Sequence, residues 1–142
     1  MGYSLRIEKN EYVKLVDFDF SMNFYAMQTL CALLPSFGKL KNEVYKINSN
    51  AGYGIPFTEL YEIKDKLVAE AESLTFEGVL EWLKKRDGKE KVRYHHLKEL
   101  DNQEAGAYAW LNNADEWARK MKIACEAAKK REDFEEIELR FY

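Results

Sequence analysis

The chain has 142 residues, which is enough for one domain with a single core. Hydrophobic residues make up 46% of the sequence and charged residues 33%, the balance of a packed globular protein. A net charge of −3 excludes a uniformly basic nucleic-acid binder, although a local basic patch stays open. We therefore predict a single globular domain over residues 1–142.

The cysteines and the apolar runs indicate where such a protein resides. Cys31 and Cys125 both lie in apolar helical patterns, where a cysteine usually behaves as a small buried hydrophobe. The opening "MGYSLRIEKN" has no apolar signal segment, and the longest apolar run, at residues 24–34, is too short to span a bilayer. We expect a cytoplasmic protein with reduced cysteines and no membrane partner.

The first third of the chain alternates like a sheet and then repeats like a helix. Alternating apolar residues predict a strand around Leu5–Ile7 and a second one at residues 12–20, joined as a hairpin. Ser21 is expected to cap a helix that runs to Leu34 and is ended by Pro35 and Gly38.

Helical spacing dominates the remainder. One helix is predicted from Pro56 to Ser73, a second is capped by Thr75, and a third covers residues 102–131 with a possible restart at Asn112–Asn113. The third helix carries an apolar stripe of mostly small residues: Leu111, Ala114, Ala118, Met121, Cys125 and Ala128.

The end of the chain alternates again and completes the fold prediction. In "EIELRFY", Ile137, Leu139 and Phe141 are expected to point inward from a strand at residues 136–142. We predict an α+β fold in which a small antiparallel sheet packs against about four helices. The N-terminal hairpin and this C-terminal strand would form the sheet.

A glycine-bearing segment, "NSNAGYGIP" at residues 48–56, follows a short predicted strand at residues 43–47 and precedes a helix. Such a loop can present backbone N–H groups to an anion at the helix N-terminus, yet its spacing matches no phosphate-binding motif. It is therefore read first as a turn and second as a ligand site. The residues available to a ligand are Asn48, Asn50, Gly52, Tyr53 and Gly54.

A basic segment at residues 84–98 has seven basic and two acidic residues, a local charge of +5, so the remainder carries −8. This asymmetry favours contact with phosphates, nucleic acid or an acidic protein face, and a solvated, solubilising surface is the alternative. Its candidate contacts combine charge with aromatic rings, as in single-strand binders: Lys91, Arg93, Tyr94, His95 and His96.

Catalytic and metal-binding patterns are missing from the sequence. His95 and His96 are the only histidines, and adjacent side chains diverge in either a strand or a helix, so they do not readily share one metal. No nucleophile motif or cofactor fingerprint occurs. We predict no catalytic residue, no metal and no cofactor. A single histidine acting as general base in a hydrolase or nuclease is the third and least favoured hypothesis.

Tryptophans mark a possible interaction surface. Trp110 and Trp117 flank the apolar stripe of the long helix, where they either complete the core or form an exposed patch for a partner. We predict a non-catalytic binding protein that acts through its surface as an inhibitor, adaptor or regulator, with a protein partner or a second copy. A phage or another mobile element would be a fitting source. The alternative is a binder of a nucleotide or other phosphorylated ligand through residues 48–54 and the basic segment.

Overall fold

The computed structural model describes residues 5–8, 24–40, 53–86 and 102–141. Within these ranges the chain forms five helices and a small antiparallel sheet, so it is mostly helical and broadly of the predicted α+β class. The second strand of the predicted N-terminal hairpin and the predicted strand at residues 43–47 fall outside the described ranges.

The bounds of the elements are as follows. The helices are α1 (Phe24–Leu33), α2 (Pro35–Leu40), α3 (Phe57–Ser73), α4 (Phe76–Arg86) and α5 (Asn102–Lys129). The strands are β1 (Leu5–Glu8), β2 (Tyr53–Pro56) and β3 (Glu138–Phe141). A 3-10 turn at Phe134–Glu136 comes just before β3.

The last strand of the chain is the centre of the sheet. β3 pairs antiparallel with β1 on one side and with β2 on the other. In this register Ile7, Leu139 and Ile55 form one row across the sheet, and both Leu139 and Ile55 are fully buried. The predicted pairing of the first and last strands is thus confirmed. β3 starts later than predicted, because Glu136 belongs to the 3-10 turn.

The end of the glycine-bearing segment is a strand, which corrects the prediction of a loop. Tyr53 to Pro56 form β2, and Pro56 precedes α3 in an extended conformation instead of lying in its first turn. The physical reason is tertiary: β3 offers a second edge for pairing, and Ile55 gains burial there. Proline suits the end of this strand because it has no N–H to continue the ladder.

Pro35 separates two helices, and Gly38 does not end one. α1 stops at Leu33, and α2 begins at Pro35, where the missing N–H has no intrahelical partner to lose. Gly38 lies inside α2, and its N–H donates to the carbonyl oxygen of Leu34 at 3.4 Å. Proline thus ends the first helix as predicted, but a second helix follows at once.

α5 is one continuous helix, so the possible restart at Asn112–Asn113 does not occur. Its 28 residues span about 42 Å at 1.5 Å per residue. The predicted apolar stripe faces the core: Leu111 is half-buried and the other five residues are buried. Both asparagines are exposed, where an unbroken helix tolerates them. None of the described helices is both long and apolar enough to cross a bilayer.

α4 begins at the residue that the sequence predicts. The side-chain oxygen of Thr75 accepts a hydrogen bond from the backbone N–H of Gly78 at 3.0 Å, which is the geometry of an N-cap. One residue earlier, Leu74 is extended and ends α3. The short connection at Leu74–Thr75 keeps α3 and α4 adjacent, and both pack on α5.

A carboxylate on α3 holds the start of α2. Glu70 accepts a hydrogen bond from the hydroxyl of Ser36 at 2.5 Å and from its backbone N–H at 3.2 and 3.3 Å. Because that N–H has no partner within its own helix, the carboxylate does for α2 what a capping side chain ordinarily does. This contact ties α2 to α3 through two residues that are 34 positions apart in sequence.

We expect Glu70→Ala to lower the free energy of unfolding by about 1.5–3 kcal/mol, the usual range for hydrogen bonds to a charged group. Urea denaturation measures the change. Glu62→Ala is the matched control, because Glu62 is exposed on the same helix; its effect should stay within about 0.5 kcal/mol. Equal effects of the two substitutions would show that the contact with Ser36 contributes nothing.

Candidate functional site

Most of the predicted ligand residues lie outside the described ranges, namely Asn48, Asn50, Gly52, Lys91, Arg93, Tyr94, His95 and His96. Tyr53 and Gly54 are described, and they lie in β2 opposite Phe141 and Arg140 of β3. The backbone at these two positions therefore belongs to a sheet and not to a loop. The ligand hypothesis for residues 48–54 and the basic segment stays a prediction.

Trp117 completes the core, which is one of the two roles that the sequence left open. Only 6% of its surface is exposed, and its ring meets Phe37 edge-on with centroids 4.9 Å apart at 64°. Its side chain points from α5 toward α2, so it is not an exposed contact for a partner. Its indole N–H is buried and has no hydrogen-bond acceptor within the described part of the chain.

Trp110, the other predicted partner contact, is half-buried against the core. Trp110 and Trp117 are seven residues apart, which is about 20° short of two full helical turns, so their side chains leave α5 in similar directions. They differ in burial because they meet different neighbours along the helix. Part of the Trp110 ring remains open to a partner. Its predicted role in binding is not tested by the packing.

A pair of aromatic rings that the sequence did not predict lies between α4 and α5, and one of the two rings is exposed. The rings of Phe76 and Tyr108 stack with centroids 4.3 Å apart and a tilt of 32°. Tyr108 is 43% exposed, and Phe76, the first residue of α4, is half-buried. We refer to these two residues as the Phe76–Tyr108 pair.

The Phe76–Tyr108 pair has apolar neighbours on its own two helices. Two half-buried hydrophobic residues lie one turn from its members: Leu80 on α4 and Leu111 on α5. Leu80 is four residues beyond Phe76, and Leu111 is three residues beyond Tyr108, so each lies next to its member of the pair on the helix surface. Aromatic side chains with a partly open face are enriched at protein interfaces.

The charged side chains between α3 and α5 have a structural role. Arg119 of α5 donates to Asp115 on its own helix at 2.9 Å and to Glu72 of α3 at 3.0 Å. Asp65 of α3 meets Lys64 at 3.0 Å and Lys122 of α5 at 3.1 Å. Hydrogen bonds from these two lysines lower the pKa of Asp65 below its ordinary value. These ion pairs connect two antiparallel helices at their exposed edge.

A second aromatic cluster joins α3, the end of α5 and the 3-10 turn. The rings of Tyr61 and Phe134 meet edge-on with centroids 5.8 Å apart. The Lys129 ammonium is 5.2 Å from the first ring centre and 5.0 Å from the second, and the Lys64 ammonium is 4.8 Å from Tyr61. Cation–π attraction at this range holds the chain in place just before β3.

Cys125 is not an activated nucleophile. The residue is fully buried, and desolvation raises the pKa of its thiol from 9.0 to about 12. Cys31 is also buried and is not part of a disulfide. Across the described ranges, no three histidine, cysteine or acidic side chains come together in a way that would hold a metal ion.

Comparison of the chain with protein-family models, with curated proteins and with solved structures returned no match. No activity is therefore carried over from a relative. The feature with the clearest functional geometry in the described ranges is the Phe76–Tyr108 pair. In the sequence, Phe76 directly follows the Thr75 cap and Tyr108 lies off the apolar stripe of α5, but neither position predicts the contact between the two rings.

We expect Trp117→Phe to cost less than about 1.5 kcal/mol, because losing part of the ring is offset by removing a buried donor without an acceptor. Trp117→Ala should cost about 3–5 kcal/mol, because it leaves a cavity beside Phe37. Urea denaturation of the two variants separates these effects. Similar losses for both would mean that the indole N–H is satisfied in the folded protein.

We expect neither thiol to react with Ellman's reagent at pH 8 while the protein is folded, and both to react in denaturant, because both are buried. The raised pKa of Cys125 also makes the free energy of unfolding depend on pH. Between pH 9 and about 12 the unfolded thiol is deprotonated while the folded one is not, so the free energy of unfolding falls as pH rises. Fast labelling of either cysteine in the folded protein would contradict its burial.

Proposed function

We propose that this chain is a non-catalytic binding protein that acts through the Phe76–Tyr108 pair and the apolar side chains beside it. Its role would be that of an inhibitor, adaptor or regulator, with a protein partner or a second copy as the bound molecule. The observation that carries this proposal is the stack itself, a large ring that is 43% exposed and held against a second ring.

The stack favours binding for an energetic reason. Ordering a flexible side chain at an interface costs about 0.5–1.5 kcal/mol, and a ring already held by a neighbour avoids part of that cost. Tyrosine also combines a large apolar face with a hydroxyl that can donate or accept a hydrogen bond. Residues of this kind supply much of the binding energy at measured interfaces.

The position of the pair supports the same role. Phe76 and Tyr108 lie on two helices that both pack on the core, so the surface they form is rigid at the backbone. Interfaces that need no reordering of the backbone retain more of their contact energy. The short Leu74–Thr75 connection and the Thr75 cap fix where Phe76 begins its helix.

The charged groups with shifted pKa values in the described ranges all lie in ion pairs. The shifted pKa values of Lys64, Asp65, Arg119 and Arg131 all arise first from hydrogen bonds within exposed ion pairs. Each of these charged groups is paired with an oppositely charged side chain of the same helix, a neighbouring helix or a turn. The Cys125 thiol stays protonated at neutral pH.

The experiment compares two single substitutions, each of which replaces an exposed hydrophobic side chain with glutamine. Tyr108→Gln removes the exposed ring of the pair, whereas Ile123→Gln removes a second large hydrophobic side chain of the described ranges, which is 55% exposed on the distant half of α5. The unmodified chain is immobilised, a partner is recovered from the cells that express it, and the purified partner is titrated against all three proteins.

Tyr108→Gln should weaken binding by about 2 kcal/mol, or about 30-fold in Kd, as expected for a central aromatic contact. Ile123→Gln should leave Kd nearly unchanged, and thermal melting checks that both variants are folded. Sedimentation of the chain alone tests self-association, in which case Tyr108→Gln should shift dimer to monomer. The proposal fails if a purified partner binds all three proteins equally. It also fails if the chain is monomeric and recovers no partner.

A further inference from the structure

We draw no further inference here: the strongest candidate, the cluster at the junction of α3, α5 and the 3-10 turn in which Lys64 and Lys129 lie over the ring of Tyr61, is already accounted for by the packing of these elements, and nothing in the structure shows what would bind there.

Discussion

The close approach of α5 to the helices beside it is the constraint on which the rest of this fold depends. Seven alanines of α5 are buried: Ala105, Ala107, Ala109, Ala114, Ala118, Ala124 and Ala128. Small side chains let helix axes come together at the short end of the usual 8–10 Å range, so larger residues such as Leu60, Leu67 and Leu83 on α3 and α4 can fill the space. A continuous helix of 28 residues then serves as a common packing surface for α3 and α4.

The same constraint links the core to the sheet and to the proposed binding surface. At one end of α5, the Lys129 ammonium lies near the rings of Tyr61 and Phe134, just before the chain enters β3, the strand that both β1 and β2 pair with. Nearer the other end, α4 packs so that Phe76 meets Tyr108. An aromatic ring is exposed there because the small residues of α5 face the core while Tyr108 points away from it.

The sequence predicted the features that depend on local spacing. The stripe from Leu111 to Ala128, the Thr75 cap and the inward positions of Ile137 and Leu139 follow from periodicity and capping chemistry alone. Features set by distant partners were missed or left open. β2 forms because β3 supplies an edge, and Trp117 is buried because Phe37 of α2 lies against it. The stack of Phe76 on Tyr108 joins residues 32 positions apart, which no local pattern reports.

The most direct test of the alanine-lined packing is to enlarge one buried alanine and one exposed alanine. Ala118 on α5 is fully buried, and Ala69 on α3 is exposed, so Ala118→Leu and Ala69→Leu add the same atoms in opposite environments. Urea denaturation should show that Ala118→Leu lowers the free energy of unfolding by about 1–3 kcal/mol, because the extra atoms force α5 away from its neighbours. Ala69→Leu should change it by less than about 0.5 kcal/mol. If Ala118→Leu is as stable as Ala69→Leu, the helices are not closely packed at this position, and the account of the fold is wrong.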